Sequence, residues 1–314
     1  MPLGWNALPE SYRIPEAPPS LAEAQAYCQR LARTHYENFS VATWFLPRRL
    51  RQHFYNVYAY CRISDDLGDE VGNAQQSLEL LDQWEAELNA CYAGSPRHPV
   101  FVALSETVKQ CGIPKHEFSD LLIAFRQDQT VTRFETFDEV LGYCRYSANP
   151  VGHLVLYLCG YSDGERQQLS DHTCTALQLA NFWQDVFVDY GKGRIYLPLE
   201  DLRRFGVTGE DIAQRRATPQ FIAMMKFEVA RAREWFARGL PLVKMVSREL
   251  AIDIELFSRG GQEILKAIEE QGFDVLRSRP VISRARKLLL VARAAAGKLL
   301  LPQHAPHRRV PGAR

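Results

Sequence analysis

The sequence predicts an all-α protein that folds as one large helical domain. Apolar residues recur three and four positions apart along almost the whole chain, whereas runs of alternating β-branched residues are nearly absent. The 314 residues are enough to bury a sizeable core. The breaks between helical runs are neither long nor polar enough to be interdomain linkers, so we expect a single domain.

The helical spacing predicts each element in turn along the chain. It predicts helices over residues 21–37, 47–69, 74–91, 99–110, 115–129, 137–146, 150–159, 163–187, 219–238, 247–271 and 283–300. Segments containing glycine and proline break the helical pattern at residues 93–99, 112–114 and 190–198. A Pro-rich arm, residues 1–20, precedes the predicted domain at residues 21–301, and a basic tail at residues 302–314 is expected to be flexible.

Composition and charge exclude several classes of protein. Hydrophobic residues make up 46% of the chain, charged residues 24%, and the net charge is +1, which is typical of a soluble globular enzyme and predicts no nucleic-acid partner. The seven cysteines are scattered without a CxxC pair, so we expect buried thiols in a reducing cytosol. The N-terminus lacks a basic stretch followed by an apolar one, so no secretory signal is expected.

No stretch is apolar enough to predict a membrane span, which needs about 20 consecutive apolar residues. The nearest candidate, KLLLVARAAAGKLLL at residues 287–301, contains three basic residues. Packing on the protein body is the more common use of such a helix. The alternative is peripheral contact with a membrane surface, because apolar helices with basic residues bind at the interface. We therefore expect a cytoplasmic protein, with contact at the inner membrane surface as the alternative.

The stretch SDDLGDE at residues 64–70 concentrates negative charge at the end of an apolar, aromatic helical run. Asp65 and Asp69 are four positions apart, and so are Asp66 and Glu70. Each pair would share one helix face about 6 Å apart along the axis. Like charges at that spacing repel each other unless a cation or solvent screens them.

A second acidic stretch repeats this spacing about 120 residues later. Asp185 and Asp189 are four apart, and Gln178 and Asn181 continue the same stripe of the predicted helix in steps of three and four. The stripe contains amides and carboxylates but no basic residue, and it lies in an otherwise apolar helix. Buried carboxylates need partners, and a divalent cation with oxygen ligands can satisfy several at once.

The two stretches together predict a Mg²⁺ site between facing helices, with Mn²⁺ as an alternative ion. Either stretch alone is more often a solvated helix face. The chain has no GxxxxGK[ST] phosphate-binding loop, which disfavours an NTPase. The remaining interpretation is a diphosphate that leaves with the help of a metal acting as a Lewis acid.

Basic residues near the aspartates suit the binding of a diphosphate. Arg62 lies one helical turn before Asp65, and Lys192 and Arg194 follow Asp189 in a predicted loop. Ordinary ion pairing is the alternative role, and it is favoured for the three arginines that precede the same helix, Arg48, Arg49 and Arg51.

Three segments of the chain resemble the squalene and phytoene synthase family. CRISDDLGDE at residues 61–70 and QLANFWQDVFVDYGKGRIYLP at residues 178–198 resemble its two aspartate-rich motifs, and YCRYSANPVGHL at residues 143–154 resembles the segment between them. Their order and spacing also match, and the resemblance extends from about residue 35 to residue 287. It implies an isoprenoid synthase fold, Mg²⁺, and substrates of the farnesyl or geranylgeranyl diphosphate type.

The resemblance also implies roles for single residues. Asp65, Asp66 and Asp69 resemble the first metal-binding motif, Asp185 and Asp189 the second, and Gln178 and Asn181 the polar residues of the second site. The implied diphosphate contacts are Arg62, Arg279 and Lys287. Tyr143 resembles the tyrosine that stabilises or deprotonates a cationic intermediate, with a core tyrosine as the alternative. Glu70 is expected to be a flanking, solvated acid.

The chain departs from the common family pattern near the predicted cation pocket. Most members have Arg where Gln184 stands, and most have Val-Ala-Gly where Ser147, Ala148 and Asn149 stand. Many members also have a tyrosine near the position of Gly260 and Gly261. A two-step squalene synthase binds two farnesyl diphosphates and reduces the final cation with NADPH, so a lost arginine and added polar residues favour a different outcome.

Two segments, HYENFSVATWFLP at residues 35–47 and SANPVG at residues 147–152, resemble the hopanoid-pathway branch that makes hydroxysqualene. Members of that branch ionise presqualene diphosphate and let water capture the rearranged cation, so no NADPH is expected. A water-capturing pocket needs a hydrogen-bonding group. We therefore expect Ser147 or Asn149, with Tyr143, to position the water. For Asn149 the alternative is capping of the helix around Pro150.

Two rival functions remain open at this stage. The first is head-to-head condensation of two prenyl diphosphates to squalene or phytoene by the same fold. The second is a non-catalytic family member that serves in assembly or binding, although complete aspartate motifs disfavour it. The expected partners are presqualene diphosphate and water, with handover to or from other enzymes of the squalene pathway.

Overall fold

The computed structural model describes residues 9–34, 47–290 and 292, and over these residues the all-α prediction is confirmed. The helices are α1 Leu21–Thr34, α2 Arg51–Asp69, α3 Ala74–Ala93, α4 Pro99–Cys111, α5 His116–Gln127, α6 Phe137–Ser147, α7 Asn149–Leu158, α8 Gly164–Gly191, α9 Leu199–Phe205, α10 Gly209–Ala213, α11 Pro219–Gly239 and α12 Arg248–Glu270. Residues 284–290 are also helical. An isolated parallel bridge joins Arg133 to Ile195.

Where their ends lie within the described residues, the predicted helices end within a few residues of the observed ones; the predicted ends at residues 37 and 300 lie outside the described residues. The two short helices α9 and α10 were not predicted. Helix α9 has seven residues between Pro198 and Gly206, and α10 has five. Neither is long enough to show a helical period. Helix α10 is held instead by a capping box, in which Thr208 and Asp211 bond each other's backbone N–H groups. Helix α8 also continues four residues beyond its predicted end, to Gly191.

Two large hydrophobic cores and two smaller buried clusters lie within the described part of the chain. The first lies around Tyr60, Trp84 and Phe101 and joins helices α1 to α5 with α7. The second lies around Trp183 and Phe221 and joins α6 and α8 with helices α9 to α12. Helix α8 packs against α7, α11 and α12, so one long helix connects the two halves of the fold.

Helix α7 approaches α8 very closely at Gly152. A Cβ atom at this position would stand 2.3 Å from Ser170 Oγ and 2.6 Å from Cys174 Sγ, so no larger residue fits without a shift. The close approach places the start of α7, with the preceding segment that contains Ser147, beside the helix of the second aspartate motif.

The described part of the N-terminal arm packs on the body of the protein. Tyr12 is buried in the first core, and its hydroxyl donates to Asp66 Oδ2 on α2 at 2.7 Å. The proposed domain limits at residues 20 and 301 stay predictions. Residues 1–8, the basic tail and all but the last residue of the HYENFSVATWFLP segment lie outside the described residues.

The seven cysteines are all free, and each is buried or half-buried. Within the described part of the chain, no helix has the length and hydropathy needed to cross a membrane.

Candidate active site

The first aspartate stretch forms the last turn and a half of α2, which ends at Asp69. Asp65 and Asp69 lie on one face of this helix, as their spacing predicts. Burial raises the pKa of Asp65 to about 6, and the negative charge of Asp69 adds to the rise. The two carboxylates therefore repel each other in the folded chain.

Asp66 lies on a different side of α2 from this pair. It is buried, it accepts a hydrogen bond from Tyr12, and it accepts two more from the guanidinium of Arg62, one of them from Nε at 3.1 Å. Arg62 also stands 3.9 Å from Asp65. The structure does not bring Asp66 together with the second motif, so its metal-binding role and the diphosphate contact of Arg62 stay predictions.

The second aspartate stretch lies on one stripe of α8, as predicted. Asp185 is bound by a fork from Arg279, whose Nη2 donates to Oδ2 at 2.9 Å while Nε bonds Oδ1. Burial, followed by the charge of Asp185, raises the pKa of Asp189 to about 7. Gln178 is half-buried and Asn181 is exposed, and their side chains form no hydrogen bond with another described residue. The polar side chains of this stripe are exposed or half-buried, whereas Phe182 and the apolar residues Leu179 and Val186 are buried.

The loop after α8 connects the two aspartate motifs. Arg194 Nη1 lies 3.1 Å from Asp69 Oδ1, and Lys192 Nζ lies 3.6 Å from Asp69 Oδ2. Both cations belong to the second motif in sequence, and both reach the last residue of α2. The structure thus places the ends of the two motifs next to each other, with positive side chains between them.

Sequence reasoning missed two residues at this place, Asp128 and Tyr196. Tyr143 donates its hydroxyl to Asp128 Oδ2 at 3.0 Å, and Arg194 donates to the Asp128 carbonyl at 3.3 Å. Burial raises the pKa of Asp128 to about 6 against the opposing effect of Arg194. The signal for Asp128 was weak, because a single aspartate after an apolar helix has no partner at helical spacing.

Aromatic rings line the region beside Tyr143. The Tyr196 ring stacks on Phe182 with centroids 3.8 Å apart, and both Phe134 and Tyr196 lie within 6 Å of Tyr143, at 5.5 and 5.6 Å. Burial and the negative charge of Asp128 raise the pKa of Tyr143 well above its ordinary value, so its hydroxyl stays protonated. Faces of aromatic rings attract cations.

Ser147 lies one helical turn after Tyr143 on α6. Its Oγ is buried and has no hydrogen-bond partner among the described residues. Asn149 is the first residue of α7, and its side chain does not cap the helix; Asn149 Oδ1 accepts a hydrogen bond from Thr175 Oγ1 of α8 at 3.1 Å. Of the two residues expected to hold water, Ser147 has the freer polar atom.

Gln184, which replaces the common arginine, holds the segment that carries Arg279. Its Nε2 donates to the Pro280 carbonyl at 2.5 Å, and its Oε1 accepts from Arg279 at 3.1 Å. Lys287 lies exposed on the helix at residues 284–290 and forms no ion pair with another described residue. Its predicted diphosphate contact therefore stays a prediction.

The aspartates are suited in chemistry to a divalent cation. Among the described residues no three potential ligands already stand at metal-binding distance from one another. The residues that would hold the ion are Asp65 and Asp69 on one helix and Asp185 and Asp189 on the other. Carboxylate oxygens that raise each other's pKa are the donors that a hard cation stabilises.

Comparison with known proteins identifies the family of this chain. The sequence profile described as squalene/phytoene synthase matches residues 32–286. This chain is a member of the squalene and phytoene synthase family. The family resemblance predicted from the three motifs is thereby confirmed, and its members are enzymes that act on prenyl diphosphates.

Solved structures and sequences of relatives support the family assignment. The structure described as squalene synthase HpnC from Alicyclobacillus acidocaldarius is 44% identical, with a TM-score of 0.78 over 86% of this chain and 98% of that one. A dehydrosqualene synthase with a bound ligand is 27% identical, with a TM-score of 0.80 over 88% and 96%. The 15-cis-phytoene synthase of Synechococcus elongatus is 29% identical over 86% of this chain and 91% of its own length. The isoprenoid synthase fold is confirmed by these structures.

Proposed function

We propose that this enzyme is a hydroxysqualene synthase, which ionises presqualene diphosphate and ends the reaction with water. The observation that carries the proposal is the buried, unpartnered hydroxyl of Ser147, one turn from Tyr143 in an aromatic region. Most of the family has an apolar residue there. A pocket that must hold a water molecule needs such a group, whereas a fully apolar wall would exclude water.

The first step breaks the bond between carbon and the diphosphate oxygen, and the electron pair leaves with the diphosphate. Lys192, Arg194 and Arg279 would bind the diphosphate, since each now bonds a carboxylate of the two motifs. Mg²⁺ bound between the two aspartate pairs would supply Lewis-acid stabilisation of the leaving group. No reductant takes part, so NADPH is not required.

The cation then rearranges beside the aromatic rings. The faces of Tyr143, Phe182 and Tyr196 would stabilise positive charge, and the buried core behind them limits access of solvent. Water held by Ser147 adds to the cation, forming a carbon–oxygen bond, and one proton is released. The Tyr143 hydroxyl, bonded to the Asp128 carboxylate, offers a path for that proton.

Product analysis tests the proposal directly. The purified enzyme with Mg²⁺ is incubated with presqualene diphosphate or with farnesyl diphosphate alone, and the lipid products are identified by mass spectrometry. We expect hydroxysqualene from the first substrate and almost no product from the second. Added NADPH should change neither result. A 30-carbon product formed from farnesyl diphosphate alone, or squalene formed from presqualene diphosphate with NADPH, would contradict the proposal.

Variants at residue 147 test the role of the hydroxyl. Ser147→Val removes it, and we expect products of proton loss to replace part of the hydroxysqualene. Ser147→Thr is the matched control, because it retains a hydroxyl and should retain the product. If Ser147→Val and Asn149→Val both still give hydroxysqualene alone, neither side chain positions the water.

Head-to-head condensation of two prenyl diphosphates is the second candidate function. It is favoured by the descriptions of the relatives, which include a squalene synthase, a dehydrosqualene synthase and phytoene synthases. Conversion of farnesyl diphosphate in the assay above would support it. Loss of all turnover with every prenyl diphosphate would instead favour a non-catalytic role. Handover of substrate or product to other pathway enzymes also stays a proposal.

A further inference from the structure

Positive charge is concentrated in the C-terminal part of the chain. Residues 275–314 contain ten arginines and lysines and no aspartate or glutamate, although the net charge of the whole chain is +1. The preceding residues are therefore acidic overall. Such a separation of charge along a chain is typical of a segment that binds an anionic partner.

The described beginning of this segment also exposes apolar side chains. We call residues 281–289 the C-terminal ridge. Leu288 is 71% exposed and Val281 is 67% exposed, and no large apolar side chain of the described residues is more exposed than these two. The next residue after Leu288, Leu289, is 49% exposed. Single exposed apolar side chains are common, but three within nine residues, two of them adjacent in the chain, make this segment unusually apolar on its exposed side.

The contacts of the helix at residues 284–290 fix which face is turned outward. Arg286 pairs with Glu270 at 2.6 Å, and Leu290 packs against Ile252 and Leu256, so this face lies on α12. Residues two positions before Arg286 and before Leu290 lie on the opposite face of a helix. Arg284 and Leu288 therefore point away from the protein body.

Two of the three basic side chains of the C-terminal ridge have no acidic partner among the described residues. Arg284 and Lys287 form no ion pair with another described residue, in contrast to Arg286. Just before the ridge, Arg277 lines a cavity of about 220 Å³ together with Arg215 and Arg279. Arg284 and Lys287 lie on the same short helix as the exposed side chains of Leu288 and Leu289.

A surface with both exposed apolar side chains and unpaired basic side chains suits some partners better than others. A second copy of the chain would bring like charges together, and a nucleic acid would gain nothing from exposed leucines. A bilayer that contains anionic lipids offers negative headgroups to the cations and an acyl boundary to the leucines. We propose that the C-terminal ridge is a docking surface for an anionic membrane. The inference does not depend on which product the enzyme makes.

Vesicle binding by the full chain tests the proposal. The protein is sedimented with vesicles of phosphatidylcholine alone and with vesicles that also contain phosphatidylglycerol, at low and high salt. We expect binding to the anionic vesicles that weakens with salt, and little binding to the neutral ones. Equal binding to both kinds of vesicle, or binding to neither, would overturn the proposal.

Matched variants locate the surface. Leu288→Gln should weaken binding by about 10-fold through the lost apolar burial, and Arg284→Gln by about 5-fold through the lost charge. Leu240→Gln is the control, because Leu240 is also strongly exposed but belongs to the turn after α11. All three variants should keep the melting temperature and the turnover of a water-soluble substrate analogue.

Other results assign the surface to another partner. Unchanged vesicle binding by Leu288→Gln and Arg284→Gln would show that a different surface docks. Self-association that Leu288→Gln abolishes, or binding to a DNA duplex as tight as to anionic vesicles, would replace the membrane as partner. Release from vesicles by inorganic phosphate at constant ionic strength would show that a free anion, rather than the lipid surface, is the ligand.

Discussion

Carboxylates in two regions of the molecule have very different partners. In the first region, His153 of α7 bridges Glu117 of α5 at 2.9 Å and Asp171 of α8 at 2.7 Å. In the second, Asp69 is paired with Lys192 and Arg194, and Asp185 with Arg279; these three cations lie in connecting segments after α8 and α12. Both regions satisfy partly buried acids, but only the first does so with groups on packed helices.

The difference separates structural from functional ion pairs. The His153 cluster joins three helices, so exchanging its partners would disturb the packing of the fold. We call the region between the two aspartate motifs, with Asp65, Asp69, Asp185 and Asp189, the cleft. Its cations, Lys192, Arg194 and Arg279, lie outside regular helices, and a diphosphate with its metal could take over their bonds without disturbing the core. The raised pKa values of Asp65 and Asp189 fit this contrast. Burial and the charge of the neighbouring aspartate on the same helix, Asp69 for Asp65 and Asp185 for Asp189, both disfavour the ionised form.

The largest expected effect is the loss of a cleft aspartate. Asp69→Asn and Asp189→Asn should each lower kcat/KM by ~10²-fold or more, because each removes a group from the site that stabilises the leaving diphosphate. Asp189→Asn should keep a melting temperature equal to or above that of the unaltered enzyme, since repulsion from Asp185 is relieved. Asp69→Asn should change it little, because the lost ion pairs with Lys192 and Arg194 offset the relieved repulsion from Asp65. Steady-state kinetics and calorimetry measure the two quantities.

The matched control for this prediction is Asp66→Asn, three residues before Asp69 in the same motif. Because Asp66 is buried against Tyr12 and Arg62, this change should lower the free energy of unfolding by about 2–3 kcal/mol. If Asp69→Asn retained full activity, or unfolded the protein as Asp66→Asn should, the separation between the two kinds of carboxylate would not hold.

The second prediction concerns the His153 cluster and pH. Burial lowers the pKa of His153, but hydrogen bonds to Asp171 and Glu117 outweigh it and raise the pKa to about 9. A raised folded-state pKa gives stability that is complete below the unfolded value of about 6.5 and is lost as the pH rises through 9. The loss should be about 3 kcal/mol.

Denaturant unfolding tests this prediction. The free energy of unfolding of the enzyme and of His153→Gln is measured at several pH values from about 6 to about 10. The unaltered enzyme should lose its stability advantage over the variant across the alkaline part of that range. A difference that is constant with pH would show that His153 is neutral in the folded chain. Activity of the variant at pH 7 should be retained, because His153 does not contact the cleft residues.

The third prediction sharpens the role of Gln184. Gln184→Met keeps the size of the side chain but removes its bonds to Pro280 and Arg279. We expect kcat/KM to fall about 10-fold through a higher KM, because Arg279 loses its orientation toward the diphosphate. Gln184→Glu, which keeps one acceptor for Arg279, should retain more activity. An unchanged KM in Gln184→Met would remove Gln184 from this role.

The smallest expected effect is that of Tyr12→Phe. The change removes one buried hydrogen bond to Asp66 and should lower the free energy of unfolding by about 1–2 kcal/mol. Turnover should not change, since Tyr12 is buried in the first core and its side chain bonds Asp66 rather than Asp65 or Asp69. A large loss of activity would place Asp66 within the working site after all.

The sequence by itself determined the helices and the positions of acids within each helix. A period of 3.6 residues fixes which residues share a face, so the pairing of Asp65 with Asp69 and the stripe from Gln178 to Asp189 followed from spacing alone. The family motifs added the order of the two acidic stretches. Short helices such as α10 escaped because local capping, rather than periodicity, forms them.

Only the tertiary structure decided how these helices meet. It turned Asp66 away toward Tyr12, it brought Arg194 to Asp69 across 125 residues of sequence, and it paired Asp128 with Tyr143. None of these contacts has a local signal, because each depends on the packing of α2, α5, α6 and α8 around two shared cores. Local spacing therefore determined which acids lie on the same face of one helix. Packing determined which acids of different helices, and which cations, lie next to one another.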